Sequence, residues 1–169
     1  GVYPTYHWKE ILESNPHIDY IVCGEGEQVI LDLVSGLEDY KDLSTIKGIA
    51  LRINDAVVKT PSAPTLQNLD DYRIGWELMK NYNYTYWGKK KAVVIQFSRG
   101  CPYPCSYCGQ SLFWKKWRNR DPQHLADEIE MLHHEYGIEV INFADENPST
   151  HKREWKLFLE ALIAKNLNL

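Results

Sequence analysis

The sequence predicts an α/β protein in two parts, a doubly wound sheet upstream and the opening strands of a β/α barrel downstream. Short apolar runs rich in β-branched residues alternate with segments of helical period along most of the 169 residues. One such run, residues 92–97, is followed at once by Cys101, Cys105 and Cys108, and barrels build their sites at the C-terminal ends of strands. A polar stretch with two prolines, residues 60–75, separates the parts. A complete eight-strand barrel takes about 250 residues, and only two barrel strands are visible, so the chain is expected to be an internal piece of a larger protein.

In the upstream part Thr5 is placed to cap a helix carrying Trp8, Ile11 and Leu12. Residues 18–23 read as a strand that Cys23 closes as a small apolar residue. Gly24, Glu25, Gly26 and Glu27 form a turn. A glycine-rich turn before a helix either binds a phosphate or simply reverses the chain, and two carboxylates here favour the second role. Val29, Ile30, Leu33, Val34 and Leu37 mark an amphipathic helix. Residues 48–53 and Ala56–Lys59 flank Asn54-Asp55, a two-residue hairpin turn. These elements occupy residues 1–59, and residues 60–90 are expected to connect them to the downstream part. Within the connection, residues 81–88 alternate tyrosines, which fits either a half-exposed strand or the wall of a pocket for a flat, conjugated substrate.

Residues 91–169 form the downstream part. After the strand at 92–97, Asp121-Pro122 opens a helix with an N-cap acid and a proline at N1. Leu125, Ile129 and Leu132 follow at helical spacing, and Gly137 is placed as the terminator. Residues 138–143 are a second strand, and Trp155, Phe158, Leu159 and Leu162 share one face of a last helix.

The cysteine loop carries the chemistry. Fully extended, Cys101 to Cys108 would span roughly 23–25 Å, so the loop must fold back to bring its thiols to one centre. Pro102 and Pro104 fix two φ angles, and Gly100 and Gly109 relax the ends. Soft thiolates select zinc, copper(I) or iron–sulfur centres. Structural zinc usually takes four protein ligands, often as two separated pairs, whereas Cys23 lies far upstream and His124, His133 and His134 have no zinc spacing. A four-iron cluster on three thiolates, with one iron open, is the expectation; zinc and unligated thiols are the alternatives.

A disulfide framework does not fit four cysteines with three in one loop. No signal peptide and no apolar run of the roughly 20 residues needed to span a membrane is visible, and a reducing cytoplasm is expected. The net charge of −4 argues against a nucleic-acid partner. Lys115, Lys116, Arg118 and Arg120 read either as a solvated face or as contacts to a cofactor carboxylate, a phosphate or an acidic electron donor.

The cysteine spacing, with Tyr107 before the last cysteine, resembles the radical SAM enzymes. The resemblance implies that Cys101, Cys105 and Cys108 hold a [4Fe–4S] cluster. S-adenosyl-L-methionine (SAM) would chelate the fourth iron through its amino and carboxylate groups, and one-electron cleavage would yield a 5′-deoxyadenosyl radical; cofactors carry such chemistry while the protein positions them. The Tyr107 backbone would contact adenine, the alternative being an aromatic that packs in the loop. Residues 143–147 would stand in place of the family's glycine-glycine-glutamate motif, with Glu146 accepting a hydrogen bond from the SAM amino group, as an acceptor-only carboxylate can. Ala144 and Asp145 replace the two glycines, and an acidic turn capping the next helix is the alternative.

A second resemblance links residues 1–5 and the Gly24–Glu25–Gly26 turn to the distal half of the cobalamin-binding domain of B12-dependent radical SAM enzymes. It implies that Tyr3, Pro4 and Thr5, with Gly24, Glu25 and Gly26, lie near cobalamin; Tyr3 stands where histidine is usual, and the Asp-x-His-x-x-Gly motif that supplies a lower ligand in many such domains is not in the sequence. The implied fold is the C-terminal part of a Rossmann-like cobalamin-binding domain followed by the first β/α units of a radical SAM partial TIM barrel.

Within that group, GVYPTYHWKEIL (1–12), the GEGE turn (24–27), YRIGWEL (72–78), YTYWG (84–88), QFSRGCPYPCSYCGQ (96–110), FWKKWRNRDP (113–122) and FADENP (143–148) resemble the family of anaerobic magnesium-protoporphyrin IX monomethyl ester cyclases. This implies oxygen-independent oxidative cyclisation that forms the isocyclic ring of (bacterio)chlorophyll, a magnesium porphyrin substrate, and reduced flavodoxin or ferredoxin as electron donor. Another B12-dependent radical SAM enzyme, such as a methyltransferase of unactivated carbon, is the second reading. A non-enzymatic iron–sulfur or zinc-binding module is the third, although an electron carrier normally has four protein ligands.

Overall fold

The computed structural model describes residues 1–79, 87–114 and 116–169. Most of the tyrosine-rich stretch, expected as a strand or a pocket wall, and Lys115 of the basic cluster lie outside the described residues. The chain divides into two units, Gly1–Leu66 and Gln67–Leu169.

In the first unit, helix α1 (Val2–Ser14) precedes strand β1 (Tyr20–Val22), helix α2 (Glu27–Glu38) and strands β2 (Ile49–Ile53) and β3 (Ala56–Lys59). Thr5 is not the cap of α1: the helix starts after Gly1, and Pro4 and Thr5 sit in its first turn, where proline is tolerated because that N–H has no helical partner. The β2–β3 hairpin forms as expected, with Asn54 and Asp55 at φ 47° and 65°, the left-handed pair of a type I′ turn.

The sheet runs β1-β2-β3 and is antiparallel throughout, so these three strands do not make the parallel pairs of a doubly wound sheet. The cause is the return from α2. Leu43 and Ile46 fold back onto Gly36, where an added Cβ would lie 2.9 Å from each side chain. The chain is thereby delivered to the end of β1 rather than its start, and the Cys23 N–H donates to the Gly48 carbonyl at 2.8 Å. Antiparallel edge strands are common on doubly wound α/β sheets. Helix α2 buries Val29, Leu33 and Gly36, while Ile30, Val34 and Leu37 face outward. Cys23 is buried with Leu12, Ile21 and Ala50, as expected of a packing residue, and burial pushes its thiol pKa up.

The second unit is a β–α–β–α arrangement. Strand β4 (Ala92–Ile95) pairs in parallel with β7 (Val140–Phe143), in the register Ala92↔Val140 to Ile95↔Phe143. Between them lie the short strands β5 (Ser98–Arg99) and β6 (Arg118–Asn119), helix α3 (Gln110–Trp114) and helix α4 (Pro122–Tyr136); helix α5 (Lys152–Ala164) follows. The ends of α4 are those the sequence predicts. Asp121 accepts from the Gln123 and His124 N–H groups at 2.8 and 2.9 Å, and Gly137 terminates the helix at φ 68°. Leu125, Ile129 and Leu132 face the core. Phe97, Phe143, Trp155 and Phe158 form an aromatic block beneath the C-terminal end of the strands, with Trp155 and Phe158 centroids 5.2 Å apart.

Within residues 67–79 Leu69 and Trp76 are buried, and Trp76 joins the core of this unit. The Trp76 indole N–H donates to Glu128, and Arg120 bridges Asp70 and Glu128 with all three charged side chains only 13–14% exposed. Asp70 also accepts from the Asp121 N–H at 2.6 Å. Arg120 is therefore not part of a solvated basic face; it is a buried cation between two carboxylates.

Removing one partner of a buried ion pair leaves the other charge uncompensated. Arg120→Met is expected to destabilise the protein by about 3–5 kcal/mol, read by urea unfolding; a loss below about 1 kcal/mol would mean that the bridge behaves as a surface pair.

Candidate metal centre

The site grows from the point where strand β4 outruns its partner. The ladder extends one bond past the strand ends, from the Ala144 N–H to the Ile95 carbonyl at 2.9 Å. Beyond it the backbone N–H groups need other acceptors. Asp145 supplies them: its Oδ2 accepts from the Phe97 N–H at 3.0 Å, and its Oδ1 accepts from the Ser98 N–H at 2.5 Å and the Ser98 hydroxyl at 2.6 Å. Glu146 Oε2 accepts from the Gly100 N–H at 3.3 Å. On the other side β5 pairs antiparallel with β6, and the Arg120 N–H donates to the Phe97 carbonyl at 2.8 Å.

Residues 97–100 are thus held between an acidic turn and a returning ribbon, and the cysteine loop leaves from this bracket. Gly100 has φ 95°, and a Cβ there would lie 2.5 Å from the Lys116 carbonyl oxygen. The close approach of the outgoing and returning chains requires glycine. At Gly109, by contrast, an added Cβ would meet nothing within 4 Å.

Within the loop the Cys108 N–H donates to the Cys105 carbonyl at 3.0 Å, a tight turn joining two of the three thiols. Cys101 and Cys108 are half-buried and Cys105 is exposed, and none of the three is in a disulfide. The Tyr107 side chain is 90% exposed, so it does not pack in the loop. Its phenol pKa is raised, first by a hydrogen bond with Cys105 and then by the charges of Cys105, Cys108 and Cys101. The Arg99 guanidinium stacks 5.4 Å above the Trp114 ring and steadies α3 behind the last cysteine.

The donor set fits an iron–sulfur cube. It consists of three soft thiols on one loop, pinned where the loop begins and returns, with a carboxylate at its base. Among the described residues no three or more His, Cys, Asp or Glu, these three cysteines included, are grouped so as to hold a metal ion; the fit rests on the chemistry of the donors and on their sharing one loop.

Burial pushes the Asp145 carboxyl pKa up, opposed by its hydrogen bonds with Ser98 and Phe97, while the neighbouring Glu146 charge adds to the rise. Sequence reasoning missed this role by treating Asp145 as a replaced glycine or as part of an acidic turn capping the next helix. The signal was the parallel register: Ile95 opposite Phe143 puts Phe97 level with Asp145. The Asp70–Arg120–Glu128 bridge was missed as well, and no local pattern announces it.

In the first unit residues 1–5 and the turn at Gly24 meet through Thr5. Thr5 Oγ1 donates to the Gly1 carbonyl at 2.6 Å and accepts from the Gly24 N–H at 2.8 Å. Gly24 sits at φ 88° and Gly26 precedes α2 as its N-cap. The Glu25 carboxylate accepts from the Leu66 N–H at 2.6 Å, a structural contact. Tyr3 is exposed and stacks on His7 at 4.5 Å, beside Pro4 in the first turn of α1.

Gly100→Ala, which places a methyl against a backbone oxygen, is expected to cost about 1–3 kcal/mol and to cut iron retained after anaerobic reconstitution to less than half of wild type. Gly109→Ala should match wild type in both readings. Equal behaviour of the two variants would show that the tight approach at Gly100 does not hold the loop.

Residues 95–168 match the radical SAM superfamily. Over its full length the chain is 50% identical to the anaerobic magnesium-protoporphyrin IX monomethyl ester cyclase of a Synechocystis strain, covering 34% of that protein. It is 34% identical over 90% of its length to an uncharacterized methyltransferase of Pyrococcus horikoshii, again covering 34% of it. The chain thus spans about a third of the length of these curated relatives. Its fold is similar to that of the radical S-adenosylmethionine methyltransferase TsrM from Kitasatospora setae, solved with cobalamin and a [4Fe–4S] cluster bound, with a TM-score of 0.72 and 20% identity, over 98% of this chain and 33% of that one. The cysteine loop that carries Cys101, Cys105 and Cys108, with helix α4, strand β7 and helix α5, lies within residues 95–168, and these residues form a radical SAM domain.

Proposed function

We propose that this chain is the cluster-holding part of a cobalamin-dependent radical SAM enzyme. Its whole protein catalyses the oxygen-independent oxidative cyclisation of magnesium-protoporphyrin IX monomethyl ester, forming the isocyclic ring of (bacterio)chlorophyll. The observation that carries this reading is the 50% identity with the Synechocystis cyclase along the full chain, which includes the cysteine loop and the acidic turn bonded to its base.

When bound, the cluster and SAM supply one-electron reductive cleavage of a sulfonium, the source of a hydrogen-abstracting radical. The residues of this chain have separable tasks. Cys101, Cys105 and Cys108 hold three irons of the [4Fe–4S] cluster and leave the fourth without a protein ligand. Glu146 accepts a hydrogen bond from an N–H of the SAM amino group, as an acceptor-only carboxylate can. The exposed Tyr107 segment lies against adenine through its backbone. Tyr3, Pro4 and Thr5, tied to the Gly24–Glu25–Gly26 turn through the Thr5 hydroxyl, contribute to the cobalamin side. The magnesium porphyrin is the substrate, and reduced flavodoxin or ferredoxin is the electron donor.

A second reading, a B12-dependent radical SAM methyltransferase acting on unactivated carbon, is favoured by the 34% identity with the Pyrococcus methyltransferase. It keeps the same site residues and changes the substrate.

Anaerobic reconstitution of the full-length protein should give about four irons and four sulfides per chain, and replacing the three cysteines by alanine should abolish them. Supplied with SAM, cobalamin, a reductant and the porphyrin ester, the wild type should yield a product bearing a keto group on a fifth ring. Methyl transfer without ring closure would replace the cyclase by the second reading. A colourless protein holding one tight zinc would overturn both.

A further inference from the structure

The proposed function leaves Asp145 without a task, yet this side chain takes three hydrogen bonds from a segment that is not its own. Ser98, the residue it grips, is among the most deeply buried in the unit, at 1% exposed. The Phe97, Ser98 and Gly100 N–H groups all find acceptors in the two adjacent carboxylates, Asp145 and Glu146. Cys101 is the next residue in the chain.

We infer that Asp145 is a positioning residue which, gripping the backbone and hydroxyl of Ser98, sets the separation between the first cysteine of the loop and Glu146. The inference rests on the proposed function, because it concerns how SAM is held at its iron end and its amino end together. A short carboxylate is the side chain the geometry calls for. Phe97 and Asp145 stand level, each two residues past the last paired position of its strand, so aspartate reaches both N–H groups and the hydroxyl. Asparagine would turn an N–H₂ donor toward one of those donors, and glycine would leave all three without this acceptor.

The division of labour between the two carboxylates follows. Asp145 is committed to the strand, whereas Glu146 accepts from Gly100 at a longer 3.3 Å and keeps capacity for the N–H of an amino group. The clamp does not ligate iron, and the three thiols belong to one loop that can enclose a cluster without it. Loss of the clamp should therefore spare the cluster and loosen SAM, which must meet the open iron and Glu146 together.

The test uses full-length protein, reconstituted anaerobically and reduced, with SAM titrated against the cluster's electron paramagnetic resonance signal. Asp145→Asn should raise the SAM concentration at half-effect about tenfold or more, the loss of a charge-assisted hydrogen bond, with iron and sulfide per chain as in wild type. Ser98→Ala should raise it about threefold, as expected for loss of one neutral hydrogen bond. A folded, cluster-loaded Asp145→Asn whose half-effect lies within twofold of wild type overturns the inference, as does parallel loss of cluster and SAM response, which marks a purely structural residue. If Asp145→Asn does not fold, Ser98→Ala decides by itself: no shift overturns the inference. A wild type that loads no cluster, or a cluster that ignores SAM, overturns the proposed function and the inference with it; a responsive wild type beside unmoved variants overturns the inference alone.

Discussion

Beyond the end of β4 the ladder stops, but the backbone donors of residues 97–100 remain, and the candidate site depends on how they are satisfied. Buried N–H groups without acceptors are costly. Here two consecutive carboxylates at the end of β7 accept on one side, and a two-residue ribbon closes on the other. One solution serves two purposes: it ends the strand without orphaned polar groups and fixes where the cysteine loop begins. Beneath it the aromatic block of Phe97, Phe143, Trp155 and Phe158 resists collapse, and above it Gly100 lets the outgoing and returning chains pass in near contact.

The legible features of the sequence were those whose cause is local. The cap and terminator of α4, the Asn54-Asp55 turn and the parallel pair flanking the cysteine loop all follow from a few neighbouring residues. The illegible ones depend on residues far apart in the chain. The antiparallel course of β1 and β2 is set by Leu43 and Ile46 folding onto Gly36, and neither strand encodes it. Arg120 looked like one cation in a basic run because Asp70, its partner, lies fifty residues upstream. Asp145 was read as a departure from a motif or as part of a capping turn, because its role appears once two parallel strands are set in register.

The basic cluster also shows how position overrides composition. Of its four cations, Arg120 is buried between carboxylates, and Lys116 matters here through its carbonyl, which crowds Gly100. Arg120 has a second link to the site, since its N–H bonds the Phe97 carbonyl inside the bracket that Asp145 completes. The Asp70–Arg120–Glu128 bridge and the cysteine loop are therefore mechanically continuous, from the 67–79 segment through β6 to the base of the loop.

The account turns on one iron being free of protein and facing Glu146. Electron–nuclear double resonance on the reduced full-length protein, with SAM carrying ¹⁵N in its amino group, reads this directly. The account predicts a nitrogen coupling to a single iron site, lost when Glu146 is replaced by glutamine while the cluster persists. A cluster whose four irons all carry protein ligands, or a nitrogen coupling unaffected by the Glu146 substitution, would contradict it.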